Sequence, residues 1–282
     1  MKIAVTGSCG FVGSHLIKRL RELDADIIEL DIKNGIDITD WGQVQAAGKF
    51  DVMFHLAAKS YVPDSYKYAR DFYCSNIIGT ANALELCRIH KAKMIFVSSY
   101  VYGAPRYLPI DEKHPVAAFN PYAQTKIIGE QLCEGYNRDF DVPVVILRPF
   151  NIYGKGQNEN FLIPTIIKQA KTGKILLKDA APRRDIVYID DVVDLLIRAM
   201  EYNQTSYEIF NVGTGVSYSV GELTDMIVGL FGSSIEVKFE GEKRKNEIPD
   251  VKADISKAKK LFNWEPKVTV HQGLQRLVGG CK

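Results

Sequence analysis

Apolar residues along the chain follow two alternating rhythms. Short, nearly continuous apolar runs at residues 2–6 (KIAVT), 27–31 (IIELD), 51–57 (DVMFHLA), 93–99 (KMIFVSS) and 143–148 (PVVILR) predict buried strands. Their lack of polar alternation suits a parallel sheet covered on both faces. Helix-period stretches lie between them. Residues 12–23 place Val12, Leu16, Leu20 and Leu23 on one stripe and Lys18, Arg19, Arg21 and Glu22 elsewhere. Residues 72–90 and 122–138 are also helical in period. Strand–helix alternation of this kind predicts an α/β, doubly wound parallel sheet, whose ligands sit beyond the carboxyl ends of the strands.

After about residue 150 the alternation becomes irregular. Helices are predicted near 160–172, 190–202 and 220–231, with short strands at 186–189, 207–212 and 235–239. There is no internal repeat and no Gly-, Ser- or Pro-rich linker. The expected organisation is a first domain over 1–153, with 184–218 returning to it, and a smaller C-terminal lobe made mainly of 154–282.

Composition changes this picture little. The 282 residues are 46% hydrophobic and 25% charged, ordinary for a globular protein, and the net charge of +2 provides no general field for nucleic acid or anionic membrane. No apolar run reaches the length of a membrane span, and MKIAVTGSCG does not read as a signal peptide. Five cysteines without CxxC spacing point away from a disulfide framework or a zinc site and suit a reducing cytoplasm. The histidines have no metal spacing, so no metal is expected.

Candidate chemistry begins at the end of the first strand, which runs into TGSCGFVG with Gly7, Gly10 and Gly13, followed by a helix. A glycine turn lets the backbone approach a pyrophosphate, and the helix N-terminus favours its charge. The next strand ends in Asp31, 18 residues beyond Gly13. A carboxylate there accepts from an adenosine ribose and repels a 2′-phosphate, which favours NAD; Lys33 nearby leaves NADP open. Further on, Tyr122 and Lys126 in NPYAQTK stand four residues apart at a predicted helix start, on one face. An ammonium beside a phenol lowers its pKa from about 10, which would let Tyr122 move a proton near neutral pH. The strand before it ends in Ser98 and Ser99, either of which offers a hydroxyl to a substrate oxygen.

With TGSCGFVGSHL, DVMFHLAA, SNIIGT, YAQTK, LRPFNIYG, RRDIVYIDDV, FNVGTG and ADISKAKKLFNW, nearly the whole chain resembles the extended short-chain dehydrogenase/reductase family, in its nucleotide-sugar epimerase/dehydratase branch. The resemblance implies a Rossmann-type sheet with a substrate-binding lobe. It implies Ser98, Tyr122 and Lys126 as the catalytic set, with Ser99 as the fallback for Ser98 and a substrate contact. NAD is implied on Gly7, Gly10, Phe11, Val12, Gly13, Asp31, Asp37, Ile38, Ala57, Ala58, Lys59 and Lys126, with Asn76 buttressing the crevice. A nucleotide-diphosphate sugar is implied on Asn151, Arg184 and Arg244. Sugar 4,6-dehydratases carry an Asp-Glu pair after the catalytic hydroxyl, where this chain has Ser99 and Tyr100, so elimination of water is disfavoured. The resemblance therefore points to an NAD-dependent 4-epimerase of a nucleotide-diphosphate hexose, or alternatively to a nucleotide-4-ketosugar reductase. A homodimer through the helices near 72–90 and 122–138 is implied as well.

Overall fold

The structure is a computed structural model that describes residues 1–202, 207–232, 234–242 and 247–279. The chain divides into two units. One comprises residues 1–103, 115–149 and 193–210, the other 104–114, 150–192 and 211–282.

In the first unit, β1 (Lys2–Thr6), β2 (Asp26–Leu30), β3 (Val52–His55), β4 (Lys93–Val97) and β5 (Val144–Pro149) pair in parallel in the order β2-β1-β3-β4-β5. A further strand, Tyr207–Val212, borders β5. The winding direction reverses between β1 and β3, so the carboxyl ends of these strands form the topological switch point where such sheets bind ligands. β1, β3, β4 and β5 are buried along nearly their whole length, as their continuous apolar character predicts. One face packs Ala4, Met53, Met94, Phe96, Val144 and Ile146 into a core that also holds Leu84, Cys87 and Cys133 from the covering helices.

The helix Phe11–Glu22 buries Leu16, Ile17 and Leu20, but Leu23 lies at its C-cap and is exposed. Ile17 takes the place the periodicity gave to Leu23. The helix predicted over 72–90 is interrupted: Ala69–Tyr73 and Gly79–His90 are joined by a wider, π-type turn over Cys74–Ile78. That turn directs the buried Asn76 inward. Its Oδ1 accepts from the Lys59 N–H at 2.8 Å, and its Nδ2 donates to the Lys59 carbonyl at 3.0 Å and to Thr125 Oγ1 at 2.9 Å.

Far from the switch point, Lys93 ends the helix Ile189–Glu201. Its ammonium donates to the carbonyls of Ala199 and Tyr202 at 2.5 Å each and of Met200 at 3.3 Å. A side chain from the start of β4 thus binds the last carbonyls of the helix.

The second unit is built from short strands. Asn151–Tyr153 and Asp250–Val251 run parallel to Arg183–Tyr188, and Ser217–Ser219 runs antiparallel to it. Lys174–Leu177 pairs separately with Glu236–Phe239. The buried Asp185 ties three segments together. Its carboxylate accepts from the N–H groups of Thr214 (2.7 Å), Gly215 (2.9 Å) and Ala253 (3.0 Å) and from the Thr214 hydroxyl (2.7 Å).

Candidate active site

The glycine loop is shaped by contacts that no side chain would survive. Gly7 has φ of +69°, and a Cβ on it would stand 2.7 Å from the Ala57 nitrogen. A Cβ on Gly13 would stand 2.0 Å from the Gly7 carbonyl oxygen. The helix that follows starts at Phe11 with Gly10 as its N-cap, without a capping side chain or an acidic residue in its first turn. This bare backbone cradle fits a pyrophosphate, which needs close main-chain approach and a helix N-terminus free of competing carboxylates.

Asp31 closes the cradle from β2. One carboxylate oxygen accepts the Cys9 N–H at 2.9 Å and the other the Lys33 N–H at 2.9 Å, which leaves lone pairs for a ribose. Lys33 Nζ reaches the Cys9 carbonyl at 3.4 Å. Asp37 accepts from the backbone and hydroxyl of Thr39, and the Ile38 side chain is buried against Gly79, so Ile38 has only its backbone to offer a cofactor. Ala57 donates its N–H to Thr6 Oγ1 at 3.1 Å beneath Gly7. Ala58 is half-buried beside it, and Lys59 is held through its backbone by Asn76.

Below the loop, His55 lies between two threonines. Thr80 donates its hydroxyl proton to the Asn76 carbonyl (2.6 Å), so it accepts from His55 Nε2 (2.9 Å), and Thr6 then donates to His55 Nδ1 (2.7 Å). Burial, with the Lys126 charge nearby, pulls the imidazole pKa down to about 3, so His55 is a neutral structural linker of β1, β3 and the helical segment around Asn76.

The proton-transfer group stands at the carboxyl end of β4. Helix Pro121–Phe140 begins with Asn120 capping the Ala123 N–H at 2.7 Å and Pro121 in its first turn. That start places Tyr122 in the first turn and Lys126 one turn on. The Tyr122 ring meets the edge of Phe72, and the Ser99 hydroxyl faces its phenol. Lys126 Nζ donates to the Val97 carbonyl at 2.8 Å and lies 4.9 Å from the centre of the Phe96 ring.

Two expectations change here. Burial raises the Tyr122 pKa, only partly offset by Ser99, while the Lys126 ammonium is directed at Val97; the lowering of the phenol by that ammonium is not seen. Burial also pulls Lys126 down to about 8. Ser98, placed first among the catalytic hydroxyls, is buried and donates to Glu130 Oε1 at 2.5 Å; the serine that meets the phenol is Ser99.

Glu130 escaped the sequence reading. It continues the spacing of Tyr122 and Lys126 by another four residues, in YAQTKIIGE, and that spacing was the available signal. Arg148 holds it with Nε–Oε1 at 2.9 Å and Nη2–Oε2 at 2.5 Å.

In the second unit, exposed Asn151 donates to the Asp185 carbonyl at 3.2 Å. The Arg184 guanidinium donates to the carbonyls of Arg183 (2.7 Å) and Ile248 (2.8 Å) and pairs with Glu247. Arg244 lies outside the described residues. Among the described residues no cluster of His, Cys, Asp or Glu could hold a metal ion, and no helix is long and apolar enough to cross a membrane.

A doubly wound sheet with a glycine cradle at its switch point defines a dinucleotide-dependent protein of the Rossmann type. Residues 3–213 match the model of the NAD dependent epimerase/dehydratase family, and the chain belongs to that family, whose cofactor is NAD. It is similar to a putative UDP-glucose 4-epimerase of Methanocaldococcus jannaschii, 34% identical over 99% of this chain and 98% of that protein. It is also similar to UDP-glucuronic acid decarboxylase 3 of Arabidopsis thaliana, 31% identical over 97% of this chain and 87% of that one. Among solved structures, UDP-glucose 4-epimerase of Thermotoga maritima with UDP-glucose superposes with a TM-score of 0.90 at 28% identity, covering 99% of this chain and 98% of the other.

Proposed function

We propose that the protein is an NAD-dependent 4-epimerase of a nucleotide-diphosphate hexose. The observation that carries this reading is the Ser99–Tyr122 pair at the end of β4, one helical turn ahead of the Lys126 ammonium. NAD, when bound on the glycine cradle, supplies a hydride acceptor for the sugar's C4. Tyr122 takes the proton of the sugar 4-hydroxyl and later returns it, while Ser99 holds that oxygen in line with the phenol. Lys126, one turn further along, holds the end of β4 through the Val97 carbonyl. A 4-keto sugar released from its proton and hydride turns in the pocket and is reduced on its other face, so no net oxidation occurs and the cofactor need not leave. Arg184 is the diphosphate ligand in this reading, sharing its guanidinium with Glu247, and Arg244 is its partner. The epimerase relatives support uridine as the base. Neither Ser99 nor Tyr100 is a carboxylic acid, which speaks against dehydration.

The 4-ketosugar reductase remains the second reading because of Lys33, a cation beside Asp31 that suits a 2′-phosphate. A homodimer belongs to the same proposal: Ile78, Ile89 and Phe140 are exposed on the helical elements over 74–90 and 121–140, and sedimentation is expected to show a dimer.

Two measurements test the reading. Mass spectrometry of small molecules released on denaturation is expected to show NAD. UDP-galactose and UDP-glucose are expected to interconvert without added cofactor. Stoichiometric consumption of NADPH with a 4-keto sugar, and no interconversion, would replace the epimerase with the reductase.

A further inference from the structure

We propose that Glu130, clamped by Arg148, is a positioning residue for this reaction: it fixes the loop that carries Ser99 against the helix that carries Tyr122. The inference rests on the Ser99–Tyr122–Lys126 reading above.

Tyr122, Lys126 and Glu130 form a single stripe, each one turn beyond the last. The two lower members grip consecutive residues of the chain opposite. Lys126 holds the Val97 carbonyl at 2.8 Å, and Glu130 holds the Ser98 hydroxyl at 2.5 Å. The next residue is Ser99, which faces the phenol. Helix and strand approach closely at this level, where a Cβ on Gly129 would stand 2.8 Å from the Phe96 ring. Two anchors on adjacent residues fix both the height and the rotation of the strand end.

Arg148 secures the other end of the same loop. While its fork grips Glu130, Nη1 donates to the Tyr102 hydroxyl at 3.1 Å, and the guanidinium lies 5.0 Å from the centre of the Tyr102 ring. Residues 98 and 102 are therefore tied to one buried ion pair, and Ser99 lies between them. The two side chains are only 5% and 7% exposed. A pair so buried contributes little net stability compared with a well-packed apolar pair, so stability alone does not account for two charges here. Holding the two ends of the Ser99 loop gives them a use.

The test compares Glu130→Gln/Arg148→Met and Ser98→Ala with the wild type. Glu130→Gln alone would leave a buried guanidinium without its carboxylate, so the double variant is the one that keeps the fold. Thermal melting and NADH binding are expected to be retained. With UDP-galactose, kcat is expected to fall about 10- to 100-fold in the double variant and about tenfold in Ser98→Ala, with KM changing less than about threefold. Wild-type kcat in Ser98→Ala overturns the positioning role, even if the double variant does not fold. A wild-type enzyme that leaves UDP-galactose untouched strikes the epimerase reading instead, and the same kcat comparison is then made with a 4-keto nucleotide sugar and NADPH.

Discussion

Tyr122 acquires its chemistry from its neighbours, and each neighbour is separable by mutation. Tyr122→Phe keeps the ring packed on Phe72 and removes only the hydroxyl. Turnover is expected to fall by about a thousandfold or more while NAD binding persists; undiminished epimerisation would take the phenol out of the mechanism. Ser99→Ala should cost about 10- to 100-fold in kcat, more than Ser98→Ala. His55 makes a prediction of a different kind. Its folded-state pKa of about 3 lies below the ordinary 6.5, so between these values the unfolded chain binds more protons and stability falls as pH drops. From pH 7 to pH 5 the wild type should lose about 2 kcal/mol more than His55→Gln, read from urea unfolding. Equal losses would mean that the imidazole is solvated. Tyr122 and Lys126 were legible as a spacing, because helical geometry turns four residues into one face. The choice between Ser98 and Ser99 was not, because both hydroxyls meet the helix Pro121–Phe140, Ser98 at Glu130 and Ser99 at Tyr122.

The glycine loop shows how an element can be fixed by what it excludes. Gly13→Ala drives a Cβ to 2.0 Å from the Gly7 carbonyl, so it is expected to cost roughly 1–3 kcal/mol and to abolish NAD binding. Gly135→Ala, in the helix Pro121–Phe140 with open space around it, should instead stabilise by about 0.5–1 kcal/mol. Urea unfolding and NADH fluorescence distinguish the two; a tolerated Gly13→Ala would show that the cradle yields. The central strands were readable to within a residue or two, since complete burial writes itself as continuous apolar sequence. Asn151–Tyr153, Ser217–Ser219 and Asp250–Val251 were not, because two or three residues carry no period. The π-type turn at Cys74–Ile78 was hidden for another reason: it is held by the Asn76 bonds to Lys59 and Thr125, which are tertiary.

At the scale of the molecule, the chain leaves its first unit at Pro149 and re-enters it at Val193. The irregular pattern after residue 150 reflects that excursion, in which one lobe's short strands interrupt another's helices and sheet. Near-neutral charge told nothing of this, since organisation lies in the order of segments and not in their composition.

Lys93 turns that order into a timetable. Its half-buried ammonium has the carbonyls of Ala199, Met200 and Tyr202 as acceptors, and these leave the ribosome more than a hundred positions after the lysine itself. Until they emerge, the nascent sheet carries a cation at its base with no acceptors and an uncovered flank beside β5. The first unit therefore cannot be finished early: the part of the protein that is made first must wait for residues 150–192 of the second to be made.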